Sequence, residues 1–469
     1  MTVEQRKKRY IILGGGIAGL ASARELVRRG YEVVVLEKNI EVGGLARTLV
    51  FDGFRFDIGG HRFHSNNDDV VNWVKELLGS DLLTVPRISH IRMGKRYVAY
   101  PLEFPGALRT FDPLTAAGMV ISYLLVKFQK KKEVELSFED WVVSRFGWGL
   151  YNVYFKPYTE KVWGIPTSEL SAMWAAQRIG IPSLAQAVYR MFFPGRGKNR
   201  PKTIINEFYY PRLGFGMITD KLREIIEAAG NQVIGGATVK TVNPDIGLVT
   251  YELNGAHHEV QGDVIISTLP LNLMLKMLPS DSGAAEVLSN YKLDYRDLII
   301  VDLALKRQNV SNDSWTYFPA KELVFGRTHE PKNWSSEMVP SPDVTSLAVE
   351  IFATRGETVW EMKDDEIVNK VVEQMDGIGL IKKSELIKGW VFRVPFGYPV
   401  YRVGYEKGLK AVRDFLMRYP NLHLVGRTGS FVYINSDGVI EDVFRLMRDL
   451  FPNTDVDVHA LEKETGRWI

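Results

Sequence analysis

Residues 9–37 read as strand, glycine turn, helix and strand, and this order constrains the chain more than any other feature. Tyr10-Ile11-Ile12-Leu13 is a short apolar run, Gly14-Gly15-Gly16-Ile17-Ala18-Gly19 follows it, and Leu20 to Arg29 carries helical periodicity. Tyr31 to Leu36 is a second apolar run, and it ends at Glu37. A lone G-x-G-x-x-G is a weak signal, but after a strand, before a helix and ahead of an acidic strand end it is specific. The glycines let the backbone approach a pyrophosphate at the helix N-terminus, where unpaired N–H groups and the dipole favour anions. A carboxylate at the second strand end accepts from ribose hydroxyls. The pattern predicts a dinucleotide held by Gly14, Gly16, Ile17, Ala18, Gly19, Glu37 and Lys38.

Composition narrows the class. The 469 residues include 59 Lys+Arg, 56 Asp+Glu and no cysteine. That excludes a disulfide scaffold, thiolate metal or iron–sulfur sites and thiol catalysis. The net charge of +3 is spread along the chain, which argues against a nucleic-acid partner. At roughly 150 residues per domain, two or three domains are expected. The basic stretch from Arg6 to Arg9 precedes an apolar run that glycines interrupt at once, unlike a secretory signal. No run reaches the ~18–20 apolar residues of a spanning helix, so a cytoplasmic protein is expected. Leu114 to Phe128 is mostly apolar and carries Lys127, with Lys130, Lys131 and Lys132 just beyond. A buried helix with a solvated end is the preferred reading, and a basic amphipathic helix at a membrane surface is the alternative.

Beyond Glu37 the chain continues with Gly43-Gly44 and Arg47, the spacing E-x5-G-G-x2-R. This second glycine pair resembles the flavin-binding signature of glutathione-reductase-like and amine-oxidase-like flavoproteins, and it implies FAD rather than NAD. A second backbone loop and an arginine would cover the pyrophosphate, which adds Gly44, Leu45, Ala46 and Arg47 to the cofactor set. The remaining pattern places helices over most of residues 70–203, strands over 232–242, 248–253 and 260–268, and an antiparallel block from Leu298 to Phe392 with one helix at Asp364 to Met375. A strand at Leu422 to Val425 runs into Gly426-Arg427-Thr428-Gly429 and a helix from about Val439. The expected architecture is α/β: a discontinuous Rossmann-like FAD domain of the glutathione-reductase type (1–69, 211–295, 415–469), a largely helical domain with a lid (70–210) and an antiparallel-sheet substrate domain (296–414).

Four segments gather the remaining chemistry: Gly59-Gly60-His61-Arg62-Phe63-His64; Tyr158-Thr159-Glu160-Lys161-Val162-Trp163-Gly164 with Gln177-Arg178-Ile179; Phe325-Gly326-Arg327-Thr328-His329-Glu330; and Tyr398-Pro399-Val400 with Gly426-Arg427 and Tyr433. In this order they resemble the UDP-galactopyranose mutases, within the wider amine-oxidase and protoporphyrinogen-oxidase-like flavoproteins. The resemblance implies that Tyr158 and Trp163 line the nucleotide side of a pocket and that Arg178 and Arg327 clamp a diphosphate. It further implies that Tyr398 and Tyr433 bond the same diphosphate, that Tyr210 faces substrate, and that His61 lies against the flavin. Gly60, Val239, Thr268, Gly426, Arg427, Asp437 and Val439 complete the implied cofactor contacts. Independently of the resemblance, forked guanidiniums and phenols suit phosphoryl oxygens.

The implied activity is a pyranose-to-furanose isomerisation of a UDP-hexose, most simply UDP-galactopyranose, in cell-surface polysaccharide biosynthesis. Reduced FAD would act through N5, with NAD(P)H or another donor as reductant and a nucleotide sugar as partner. Two departures bear on substrate. Residues 181–202 are longer than the mobile loop of bacterial mutases and basic, and Phe208 to Gly214 looks more like oxidase-type relatives. The alternative is an FAD oxidoreductase of the protoporphyrinogen-oxidase, desaturase or amine-oxidase type. Buried guanidiniums weigh against an apolar substrate, because they are costly to desolvate without an anion. No G-x-S-x-G elbow, H-E-x-x-H motif or other metal site is read from the chain.

Overall fold

The computed structural model describes residues 7–100, 111–126, 128, 134–178 and 207–452, the side chains of Gln177 and Arg178 excepted. A five-stranded parallel sheet has the order Leu422–Leu424, Val264–Ser267, Arg9–Leu13, Glu32–Glu37, Gln232–Gly235. Its strands come from three separate stretches of chain. The apolar runs Ile11–Leu13 and Val33–Leu36 are buried on both faces, as expected of parallel strands covered on both sides. The helix Ile17–Arg28 packs on one face through Leu20, Ala21, Ala23 and Leu26, beside the helix Ser436–Leu450 with Val439, Ile440 and Val443 turned inward. The other face rests on a second cluster that includes Leu271, Met274 and Val412.

The second sheet has seven strands, ordered Leu386–Pro399, Tyr295–Leu305, Thr345–Ala353, Arg327–His329, Trp315–Tyr317, Ser89–Met93, Arg96–Ala99. Its pairings are antiparallel except that of Trp315–Tyr317 with Ser89–Met93. Tyr295–Leu305 is buried along its whole length, and the helix Asp364–Gly377 packs Ile367, Val371, Val372 and Met375 into the core of this unit.

Two expectations are corrected here. Residues 82–99 are not helical: Leu82–Pro86 pairs with Glu207–Pro211, and Ser89–Met93 with Arg96–Ala99 forms an edge hairpin of the second sheet. Short alternating runs with a glycine turn at Gly94 (φ 59°) give strands, and the sheet edge decides what the sequence left ambiguous. The helix Pro113–Val126 is not buried either. Only Met119 and Tyr123 are covered, while Leu114, Val120, Ile121, Leu124 and Leu125 are exposed, Leu114 at 86%. Among the described residues no helix is long and apolar enough to cross a membrane.

Candidate active site

The loops after Leu13, Glu37, Ser267 and Leu424 leave the carboxyl ends of parallel strands, the side on which open α/β sheets bind ligands, while Gly60 and His61 follow the antiparallel strand Phe54–Asp57. Glycine is required there by close approach. A Cβ on Gly14 (φ 103°) would meet Thr268 Oγ1 at 2.2 Å, and one on Gly19 would meet the Gly14 carbonyl oxygen at 1.9 Å. Thr268 is fixed by donating to the Leu13 carbonyl at 2.9 Å. Glu37 is buried at the end of its strand; it accepts from Gly15 N at 2.8 Å and from Asn39 N and Nδ2 at 2.9 and 2.7 Å. It thereby ties the glycine turn to the second strand and keeps one lone pair, on Oε2, for a ribose. Gly43 N donates to Gly15 O at 2.7 Å, which lays the second glycine pair along the first. Arg47, in the next turn, makes no ion pair among the described residues. Gly426 (φ 84°) comes against Ala18, where its own Cβ would lie 2.6 Å away, and its N–H bonds Asp442 at 2.9 Å. Asp437 and Val439 start the following helix, and burial raises the Asp437 carboxyl. Val239 is buried in the strand Thr238–Asn243, just beyond the loop in which Ala237 N donates to Glu37 O. The cradle leaves room for a cofactor and none for side chains, which fits FAD.

Three elements converge beside this cradle. The loop Gly59–His61 is pinned by Glu350, whose Oε1 accepts from Gly60 N at 3.0 Å. His61 donates through Nε2 to the Ile58 carbonyl at 2.9 Å and stacks on Phe215 at 5.2 Å. Burial and the Arg427 charge push His61 down to about 4, so the ring stays neutral. Arg327 forms a two-point pair with Glu350, 2.9 Å from Nε and 2.6 Å from Nη2. The two residues face each other across neighbouring strands, and Glu350 is wholly buried. Burial opposes the charge on each, yet the pairing prevails: Glu350 is held below and Arg327 well above its ordinary value. Tyr398 stacks on Tyr433 at 5.3 Å, and Arg427 lies over both rings at 5.3 and 5.6 Å. Burial and Tyr433 push Tyr398 up to about 12, and burial lifts Tyr158 well above its ordinary value, so both phenols are neutral donors.

Residues 17–436 match the flavin-containing amine oxidoreductase family. The chain belongs to this family. It is therefore an FAD-dependent enzyme of the flavin-containing amine oxidoreductases. A probable UDP-galactopyranose mutase of Klebsiella pneumoniae is 27% identical over 170 residues, 35% of this chain and 43% of that protein. Coproporphyrinogen III oxidase of Bacillus subtilis is 22% identical over 451 residues, 90% of this chain and 93% of that protein. A crystal structure of reduced UDP-galactopyranose mutase superposes with a TM-score of 0.82 at 21% identity, covering 96% of this chain and 94% of that one, a likeness of fold. The chain thus spans less than half the length of the first curated mutase it matches.

In this member of the flavin-containing amine oxidoreductases, several expected roles change. Trp163 does not line an open platform. It is 2% exposed and packs edge-on to Trp174 at 5.2 Å and beside Tyr433 at 5.9 Å, because its helix buries it among apolar residues. Tyr210 does not face substrate: it is buried, and its hydroxyl donates to Asp57 at 2.7 Å. Asp57 also accepts from Thr48 Oγ1 and Phe215 N, so Tyr210 braces the loop behind His61. The Arg327 fork is occupied by Glu350, which leaves Nη1 for a ligand. Lys161 of the Tyr158–Gly164 motif is structural, donating to the carbonyls of Phe318 at 2.9 Å and Ala320 at 2.8 Å. Arg178 ends the helix Ala172–Arg178, and its side chain, like the expected lid at 181–202, lies outside the described residues. Sequence reasoning missed Glu350, whose one signal was a single acid within the apolar run from Leu347 to Ala353.

Proposed function

We propose that the protein is a flavin-dependent mutase that interconverts a UDP-hexopyranose, UDP-galactopyranose first, and its furanose form. The observation that supports it most is the polar wall beside the cradle: Tyr158 and Tyr398 held as neutral donors, with Tyr433 stacked on Tyr398, next to Arg427 and the Arg327–Glu350 pair. An apolar substrate would offer the Tyr158 and Tyr398 hydroxyls no acceptor, whereas a diphosphate accepts from both. Bound FAD in its reduced form, supplied with electrons by NAD(P)H or another donor, would provide a nucleophile at N5. The chain's part is to hold the departing diphosphate with Arg178, Arg327, Tyr398 and Tyr433, and to keep His61 neutral against the cofactor side of the pocket. The test is turnover of UDP-galactopyranose by the holoprotein, oxidised and then reduced with dithionite, with the furanose followed by chromatography. Product in the reduced sample alone supports the reading; no product in either, with UDP leaving the flavin spectrum unchanged, overturns it.

The near full-length match to coproporphyrinogen III oxidase favours one other reading, an FAD oxidoreductase of the protoporphyrinogen-oxidase type acting on another substrate. For the exposed face of Pro113–Val126 we propose peripheral contact with an anionic lipid surface. Its apolar residues are exposed, and four lysines lie at 127 and 130–132 in the sequence, outside the described residues.

A further inference from the structure

Arg62 and Arg87 stand out among the cations of the molecule. Arg62 follows His61 in the flavin-side loop, and Arg87 lies between the strands Leu82–Pro86 and Ser89–Met93. Both lie over the same ring, Trp315, at 5.2 and 5.5 Å, and Arg87 also lies over Tyr100 at 5.5 Å. Among the described residues neither guanidinium has a carboxylate partner. Arg62 Nη1, Arg87 Nε and Trp315 Nε1 are each shut off from solvent with no acceptor. Three donors without an acceptor, two of them on like charges, are costly unless an anion completes them. Burial and the Arg87 charge already push Arg62 down to about 10. The cluster is joined to the candidate pocket by aromatic contacts: Tyr317, on the strand of Trp315, meets Tyr100 at 5.1 Å and Tyr158 at 5.7 Å.

We propose that Arg62 and Arg87, both lying over the Trp315 indole, form with it an oxyanion subsite that receives a phosphoryl or carboxylate group of the substrate. Two forked donors and an indole N–H supply only hydrogens, so the ligand group must be an acceptor of negative charge. The subsite rests on the pocket taking an anionic substrate and not on mutase chemistry. It adds to Arg327, which keeps only Nη1 for the anion because Glu350 fills the rest of its fork.

The test is calorimetric titration of the FAD-loaded protein with pyrophosphate and, separately, with succinate. The expected result is one equivalent bound of at least one of these anions, the tighter naming the group recognised. Binding should weaken tenfold or more in each of Arg62→Met and Arg87→Met and be partly restored in Arg62→Lys and Arg87→Lys. Arg212→Met, which removes two surface ion pairs, should bind as the wild type does. Flavin content and melting temperature establish that each variant folds, and the Lys variants serve if a Met variant does not. No binding of either anion, or wild-type affinity in both Met variants, overturns the proposal. Anion binding that the variants abolish, in a protein that does not turn over UDP-galactopyranose, keeps the subsite and discards the mutase reading.

Discussion

In the nucleotide cradle the surface offered to a ligand is backbone, carried by loops at the ends of parallel strands with glycines where no Cβ fits. In the pocket wall it is side chain, guanidiniums and phenols carried mainly by the antiparallel sheet and the loops packed on it. The wall itself divides. Arg327 has its carboxylate in Glu350, whereas Arg62 and Arg87 share only an indole face. A guanidinium already paired is part of the protein's framework, and an unpaired one places a demand on a ligand. The cradle should therefore fail sterically and the wall electrostatically, and the two failures should be separable.

The largest effect is expected in the cradle. Gly14→Val places a branched side chain where even a Cβ meets Thr268 Oγ1 at 2.2 Å, so the purified variant should carry no flavin by its absorbance. A fully yellow variant would break the distinction at its first term. Next comes the paired guanidinium. Glu350→Ala strands Arg327 without its partner and frees the Gly60 N–H, at a cost of about 3–5 kcal/mol of unfolding free energy in denaturant titration. Arg327→Met with Glu350→Leu should recover much of that loss; equal instability in the double variant would refute the pairing argument. Smaller still, Arg62→Met should leave stability unchanged or raised, since it removes a buried charge with no partner. A melting temperature several degrees below wild type would show that Arg62 is framework too.

The acid limb offers a graded comparison. His61 and His329 are held at about 4 and about 3, against 6.5 in the unfolded chain, in both cases chiefly by burial. The unfolded chain then binds more protons at mildly acidic pH, so their contribution is full above pH 6.5 and is lost as pH falls through 6.5 toward 4. Melting temperature should decline across that window, and His61→Gln with His329→Gln should flatten the decline; an unchanged slope would count against both shifts. The smallest effect is expected outside the pocket, where Leu124→Ser with Leu125→Ser should reduce co-sedimentation with anionic vesicles without altering flavin content.

Legibility from sequence followed the distance over which each feature is built. The cradle was readable because its strand, glycine turn, helix and acidic strand end lie within 29 consecutive residues, from Arg9 to Glu37, although Gly14 is also confined by the distant Thr268. The wall was readable only as a list of residue types. Tyr398, Tyr433, Arg327 and His61 do come together, but Trp163 and Tyr210 are taken into the core. Nothing local reveals whether an aromatic on a motif faces a pocket or its own helix partners. The hairpin at 89–99, inside a stretch whose pattern is mostly helical, is hidden for the same reason, since a short mixed run becomes a strand only when a sheet edge accepts it.

The sequence alone determined the dinucleotide cradle, the α/β class and the resemblance to flavoproteins, because periodicity and glycine spacing act over a few residues. Only the tertiary structure decided which charges are spent and which are free. Arg327 meets Glu350 across two strands 23 residues apart in the chain, and Arg62, Arg87 and Trp315 meet from three distant segments. Pairing of a buried charge depends on what the fold brings within hydrogen-bond reach, and that is set by strand order and register, which single-residue patterns do not carry.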